Sequence, residues 1–360
     1  MTGTLDGGDL VWLDQVGLAD IPRVGAKLAR LGALRARGSQ VPDAFVLTTD
    51  AFDTFLGSAQ RDLERLLEAP SAGLDDEARL SESVQAFIQQ HPFPRGLEHR
   101  IVQAFAELAT RTELGERLST AVRSSGVTED SSDASFAGQY DTYLGIRSAE
   151  GVLEHVRKCW GSGYNTRALD YRRRWGLPLS AHGIAVGVMQ LVDARAGGVT
   201  FTLNPVTGNR QQAMIEANWG FGQSVVSGLV SPDNFLVQRP DGAILEEHIG
   251  AKEVWSVFDP VQGRVVERPT PSEQAVRPCL SHAEVRELVR LAVEIEVREG
   301  CPQDVEWAID AHLPFPRNVF LLQHRPETGW AGRPALEPDA GASAPVADGV
   351  RNVFFEVKVP

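Results

Sequence analysis

The chain is poor in cysteine, in positive charge and in long apolar runs. Its 360 residues include three cysteines, Cys159, Cys279 and Cys301. None lies at metal-ligand spacing from another and three cannot all pair, so neither a zinc motif nor a disulfide framework is expected, which suits a reducing compartment. Lys and Arg total 35 against 48 Asp and Glu, a net charge of −13. A broad nucleic-acid surface needs the opposite balance, because phosphate backbones attract basic faces. A local cationic pocket for a small anion stays open. No apolar stretch approaches the roughly 20 residues that cross a bilayer. The opening MTGTLDGGDLVWLDQVGLAD has no basic region followed by an apolar one, so it is not read as a secretory leader. A cytoplasmic protein without nucleic-acid or membrane partners is the expectation.

What is present reads as an α+β chain large enough for two or three domains. DLVWLDQVGL predicts a short strand and turn. IPRVGAKLARLGAL predicts a Gly-bearing loop entering a helix, with Leu28, Leu31 and Leu34 on one side. VPDAFVLTTDAF predicts a strand, then a helix capped near Thr48–Asp50. Amphipathic helices follow around Asp76–Gln90 and Leu97–Thr110, then a buried strand at STAVRSS and a strongly helical stretch over Val152–Trp175. Strands are expected at GIAVGVMQLV, GGVTFTLNP, QAMIEANWG, NFLVQRP and GRVVERP. SHAEVRELVRLAVEIEVREG is a helix with a capping box from Ser281 to Glu284 and Gly300 at its end. A late strand pair, QDVEWAID and NVFLLQHRP, precedes a Gly-, Ala- and Pro-rich linker.

Four segments carry candidate chemistry. Lys27, two residues after Gly25, is placed to meet a phosphate at a helix start, although a plain loop and an exposed lysine fit the same letters. VRSSGVTEDSSDASFAGQYDTYLGI follows a strand with one Arg, many Ser and small residues that let a backbone approach an anion closely; a polar surface loop has the same composition. In QDVEWAID and FLLQHRPET, Asp304 and Glu306 alternate on one strand, as do Gln323 and Arg325 on the next. Oxygen ligands of that kind suit Mg²⁺ and a guanidinium grips phosphate in bidentate fashion, while a surface salt-bridge face has the same pattern. In EANWGFGQSVVSGL, Gly220, Gly222 and Gly228 suit a tight loop near a ligand or a hairpin connection. The scattered histidines His182, His248, His282, His312 and His324 form no catalytic triad.

Together and in order, VGAKLARLG, VPDAFVLTTDAF, AVRSSGVTEDSSDASFAGQYDTYLGI, GGVTFTLNPVTG, ANWGFGQSVVSGLVSPDNF and QDVEWAID…FLLQHRPET resemble the ATP-binding domain of the pyruvate phosphate dikinase and phosphoenolpyruvate synthase family, shared with rifampicin phosphotransferases. The resemblance spans roughly residues 10–328. It implies an ATP-grasp fold in which two subdomains clasp ATP, residues 1–185 and 186–328, followed by a linker at 329–349 and a strand-like tail at 350–360. Carried over by motif position, Lys27 and Arg123 contact ATP phosphates, Gly138 and Thr142 line the nucleotide, Glu306 and Gln323 hold Mg²⁺, and Arg325 faces the terminal phosphates. Lys27, Arg123 and Arg325 are the catalytic expectation.

Two departures stand out. Met189 occupies a place where the family often has Gln beside the adenine, with Gln190 one position later. Gln223 stands where the family usually has a carboxylate. No His follows His324, so the swivelling domain that carries the family's phospho-accepting His is expected on a separate carrier protein or on C-terminal domains missing from this chain. The expected role is the Mg²⁺-ATP-binding component of a dikinase-type phosphotransferase. A stand-alone ATP-dependent small-molecule kinase or ligase, and a non-catalytic nucleotide-binding module, are the alternatives.

Overall fold

A computed structural model describes residues 8–68, 74–127, 141–174, 176, 178–179, 183–239, 241–259 and 261–330. Gly138, most of the linker and the tail lie outside these residues. Two antiparallel sheets organise the rest. The first contains β1 (Leu10–Trp12), β2 (Ala44–Leu47), β3 (Thr120–Gly126), β4 (Thr142–Ile146) and β5 (Ile184–Gln190), in the order β1-β2-β5-β3-β4. The second draws on β6 (Ala194–Phe201), β7 (Gln212–Trp219), β8 (Asp233–Gln238) and β9 (Ile244–His248). A separate hairpin follows, β10 (Val254–Asp259) and β11 (Arg264–Pro269), before β12 (Gln303–Asp310) and β13 (Val319–Pro326) complete the second sheet in the order β13-β12-β6-β7-β8-β9.

The expected division between residues 185 and 186 falls inside β5, all of which pairs with β2 and β3 in the first sheet. The reason is register: Ala185 to Gln190 continue one uninterrupted ladder against β3, and the chain leaves for the second sheet only after Gln190. The helical stretch expected over Val152–Trp175 is two helices, Ala149–Ser162 and Thr166–Arg174. Asn165 accepts from the Ala168 amide at 2.8 Å and starts the second. Side chains like this satisfy the first free N–H groups of a helix. Strands β4, β9 and β10 were not expected. Ile244–His248 is an edge strand whose ILEEH is almost wholly exposed, so it shows no apolar alternation.

Period-two alternation explains the layers. On one face of the first sheet, Phe45, Leu47, Val122, Val186 and Val188 pack against helices that supply Phe52, Phe55, Ile88, Ile101 and Trp160. On the other, Ala44, Val46, Ala185 and Met189 join Leu28 and Leu31 of helix Ile21–Ala36. That second core runs on without a break into Ile215, Phe235, Leu288 and Val305 of the second sheet and helix His282–Glu299. Helix His282–Glu299 begins with the expected capping box, Ser281 and Glu284 bonding each other's backbone, and ends at Gly300 with φ 73°.

One buried ion pair ties the second sheet's connections together. Lys252 and Asp233 are both fully buried and in hydrogen-bond contact. Lys252 also donates to the Gly250 carbonyl at 3.0 Å, and Asp233 accepts from the Gly250 and Cys279 amides at 3.0 and 2.8 Å. Removing one partner strands the other charge away from water. Lys252→Ala is expected to cost about 3–5 kcal/mol, read as a lowered urea midpoint. An unchanged midpoint would show that water reaches Asp233.

Candidate functional site

The site begins with a kink. Gly25, inside helix Ile21–Ala36, has φ 73° and ψ 163°, a conformation that favours glycine. A Cβ there would lie 2.3 Å from the Ser125 carbonyl oxygen of β3. Ser125 Oγ in turn accepts from the Leu28 amide at 3.3 Å. The helix is thereby seated on β3, with Lys27 buried to 7% exposure. Leu28 sits over Gly187 of β5, where a Cβ would come within 2.7 Å of its Cδ2. Gly187 pairs with Arg123 of β3.

Arg123 spans the two sheets. Its Nη1 donates to the Leu322 carbonyl of β13 at 3.1 Å, and its Nη2 donates to Gln323 Oε1. The Leu322 carbonyl is available because β13 carries a bulge: Glu306 pairs with Gln323 and Trp307 with Leu321, leaving Leu322 extra. Bulges of this kind re-aim side chains beside functional sites. Arg123 is 8% exposed, and its Nε has no hydrogen-bond partner among the described residues. A buried donor in that state calls for an acceptor.

These groups open onto one cleft between the sheets. Lys27, Arg123 and Thr142 line it from the first sheet's side, and Glu306 and Gln323 from the second. Met189, Leu191, Val192, Ala308 and Leu322 line it too. The polarity is graded. Ala121 pairs with Met189 and Arg123 with Gly187, so the cationic position lies two residues, about 7 Å, along β3 from the apolar one. Ala308 and Glu306 repeat the order on β12. The apolar end adjoins the Leu191–Asp193 connection between the sheets. Phe221, Gly222 and Gln223 form a further wall. Gly222 makes that turn possible: a Cβ there would fall 2.8 Å from the Gly198 amide of β6.

Of the residues nominated from sequence, Lys27, Arg123, Thr142, Glu306 and Gln323 come together in the cleft, while Gly138 lies outside the described residues. Arg325 is two register pairs beyond Gln323 and is not among the lining residues. Its Nε donates to Asp304 at 3.2 Å. Burial pushes the Asp304 carboxyl up to about 6 while Arg325 opposes the shift. Asp304 Oδ1 is buried without a hydrogen-bond partner among the described residues. Gln323, expected to face a metal, spends its amide oxygen on Arg123. That oxygen still has a second lone pair. Among the described residues no group of three or more His, Cys, Asp or Glu could hold a metal by itself. One half-buried carboxylate, Glu306, beside an amide oxygen fits Mg²⁺, which completes its shell with water and phosphate. His324 turns away from the cleft and bonds Gln303 at 3.0 Å; burial pushes its imidazole down to about 3, so it is neutral.

Sequence reasoning missed Ser125 and Gly187, the contacts that seat Lys27, and the Leu322 bulge. Ser125 stood in plain view in AVRSSG, but nothing local marks which serine meets a helix.

The chain matches the model of the pyruvate phosphate dikinase AMP/ATP-binding domain over residues 21–341. It belongs to that family. Two named relatives are 37% identical over 351 residues, the probable phosphoenolpyruvate synthase of Staphylothermus marinus, and 36% identical over 336 residues, the phosphoenolpyruvate synthase of Escherichia coli. The matches cover 91% and 89% of this chain and 42% of each relative, so the chain spans less than half the length of either. Among solved structures, the macrocyclase MdnC of Microcystis aeruginosa matches with TM-score 0.23 and 10% identity, covering 73% of this chain and 68% of that one. A likeness of that size carries no argument here. No helix among the described residues is long and apolar enough to cross a membrane.

The seating of the kink is open to test. Gly25 and Gly38 both have positive φ, but nothing lies within 4 Å of a Cβ at Gly38. Gly38→Ala should show only the backbone strain of about 1–2 kcal/mol. Gly25→Ala should lose clearly more in thermal unfolding, because its Cβ meets backbone. Equal losses would mean the helix slides off β3 at little cost.

Proposed function

We propose that the cleft binds Mg²⁺-ATP in the ATP-grasp manner, with the two sheets as the two clasping subdomains. The chain is then the ATP-binding component of a dikinase-type phosphotransferase that passes a phosphoryl group to a histidine on a separate protein or on domains beyond this segment. The observation that carries the reading is the convergence of Lys27, Arg123, Thr142, Glu306 and Gln323, named from sequence alone, on one cleft with a graded polarity. An apolar base fits beside Met189, Leu191 and Val192, and anionic phosphates fit beside Lys27 and Arg123.

Lys27 and Arg123 supply positive charge in a poorly hydrated site, where it stabilises charge on a transferring phosphoryl group far better than in water. The unpartnered Arg123 Nε fits an added phosphate oxygen. Glu306, with Gln323 beside it, would hold Mg²⁺, which neutralises phosphate charge when bound. Arg325, clamped by Asp304, acts by holding the carboxylate beside Glu306 in place. Met189 offers the base a polarizable apolar surface. Gln223 leaves its wall uncharged, so repulsion of phosphate from that side is smaller than a carboxylate would give.

Calorimetric titration with ATP, with and without Mg²⁺, tests the reading. Lys27→Ala and Arg123→Ala should each weaken ATP about 10- to 100-fold, the range of a lost charged hydrogen bond. If neither variant changes affinity, the site is elsewhere. Glu306→Ala should abolish the Mg²⁺ dependence of binding; unchanged dependence would move the metal to other ligands. Chromatography of the nucleotide then separates mechanisms. Intact ATP fits a component awaiting its histidine, and ADP formed by the chain alone points to a direct kinase or ligase.

A further inference from the structure

The hairpin β10–β11 belongs to neither large sheet, yet it touches a cleft wall on each side. At one end it is fastened to the turn that carries Gln223. Ser256 accepts from the Phe221 amide at 2.9 Å, and Asn218 Nδ2 donates to the Val254 carbonyl at 2.8 Å and to Ser224 Oγ at 2.9 Å. Gly220 permits this approach, since a Cβ there would fall 2.1 Å from the Ser256 carbonyl oxygen. At the other end the hairpin meets β4. A Cβ at Gly145, where φ is 88°, would lie 3.1 Å from Phe258 Cε2 and 3.2 Å from Arg264 Cα. The Arg147 guanidinium stands 5.6 Å from the centre of the Phe258 ring, within the reach of a cation–π contact.

Both anchored elements line the cleft: β4 through Thr142 and Leu144, and the turn through Phe221, Gly222 and Gln223. The sheets are joined covalently at the apolar end by Leu191–Asp193. The hairpin joins the same two walls through contacts that can part. It is itself well braced, by a six-pair ladder and by Asp259, which accepts from the Val261 and Gln262 amides and binds Arg268. A braced hairpin transmits displacement instead of absorbing it, and its joint with β4 is made by packing, with the half-buried Phe258 ring on the bare backbone of Gly145.

We infer that Phe258 is a positioning residue for the nucleotide. Acting through Gly145, it sets the separation of β4 from the Phe221–Gln223 turn and thereby the rate at which nucleotide leaves. The inference rests on the ATP reading above. The strap holds the cleft walls at their working distance, and parting of the Phe258–Gly145 joint is the exit step.

The test is stopped-flow release of a methylanthraniloyl derivative of ATP, with Mg²⁺, from the full chain. Phe258→Ala should release the probe about tenfold faster while association changes less than about threefold, since effects at one interface fall mostly on dissociation. Its melting temperature should stay within a few degrees, because the hairpin ladder survives. Phe258→Tyr, which keeps the ring on Gly145, should restore slow release. Phe258→Leu carries the same test if the alanine variant does not fold. Release from Phe258→Ala within twofold of the unsubstituted chain overturns the strap while leaving ATP binding intact. An unsubstituted chain that binds no probe overturns the ATP reading and this inference with it.

Discussion

The close approach of helix Ile21–Ala36 to β3 at Gly25 is the constraint on which the cleft depends. Helix and strand meet backbone to backbone there, at a spacing that leaves no room for a Cβ. The kink redirects the helix so that Leu28 drops onto Gly187 and Lys27 is buried beside Arg123. Three unremarkable residues, Gly25, Ser125 and Gly187, therefore decide where two cations stand. Burying cations without solvent is costly unless partners are near, and for Arg123 the opposite sheet supplies the Leu322 carbonyl and Gln323.

The two sheets act as one body because their cores merge and because few connections carry much of the coupling. The second core runs from helix Ile21–Ala36 through the inner face of both sheets to helix His282–Glu299. The Leu321 amide donates to the Gln40 carbonyl at 2.9 Å, and Arg123 adds its two bonds beside it. Parallel gradients of polarity on β3 and β12 then follow from register alone: Ala121 and Ala308 at one end, Arg123 and Glu306 two residues along. A cleft that is apolar at its closed end and charged two residues further on suits a ligand with a flat apolar group and an anionic tail.

Much of this was legible in the sequence. The capping box at Ser281, the alternation of Asp304 and Glu306, and the strand at STAVRSS were each local patterns, and each took the expected form. The cleft residues were named because the motifs keep their order along the chain. What stayed hidden was long-range. Register decided that β5 completes the first sheet, so a boundary placed between residues 185 and 186 from the order of the motifs cut through it. The bulge at Leu322 follows from the mismatch of two strands and has no mark within either. Arg325 was read from its motif as facing phosphates, and its ion pair with Asp304 across the strands had no mark in a linear reading. Strand β9, exposed on nearly every residue, gave no alternation to read.

Arg123 also bears on the heat of any binding event in the cleft. Two of its donors are already committed to protein oxygens, so an incoming anion meets a guanidinium that is preorganised and partly satisfied. Contacts formed with such a group partly replace contacts already present. The enthalpy released would be small relative to the strength of the final hydrogen bonds. Affinity would arise instead from the water expelled and from the rotamer freedom that Arg123 had surrendered on folding. A guanidinium held taut between two sheets also links occupancy to their spacing, since any anion that draws Arg123 away from Leu322 loosens the seam on which both sheets close.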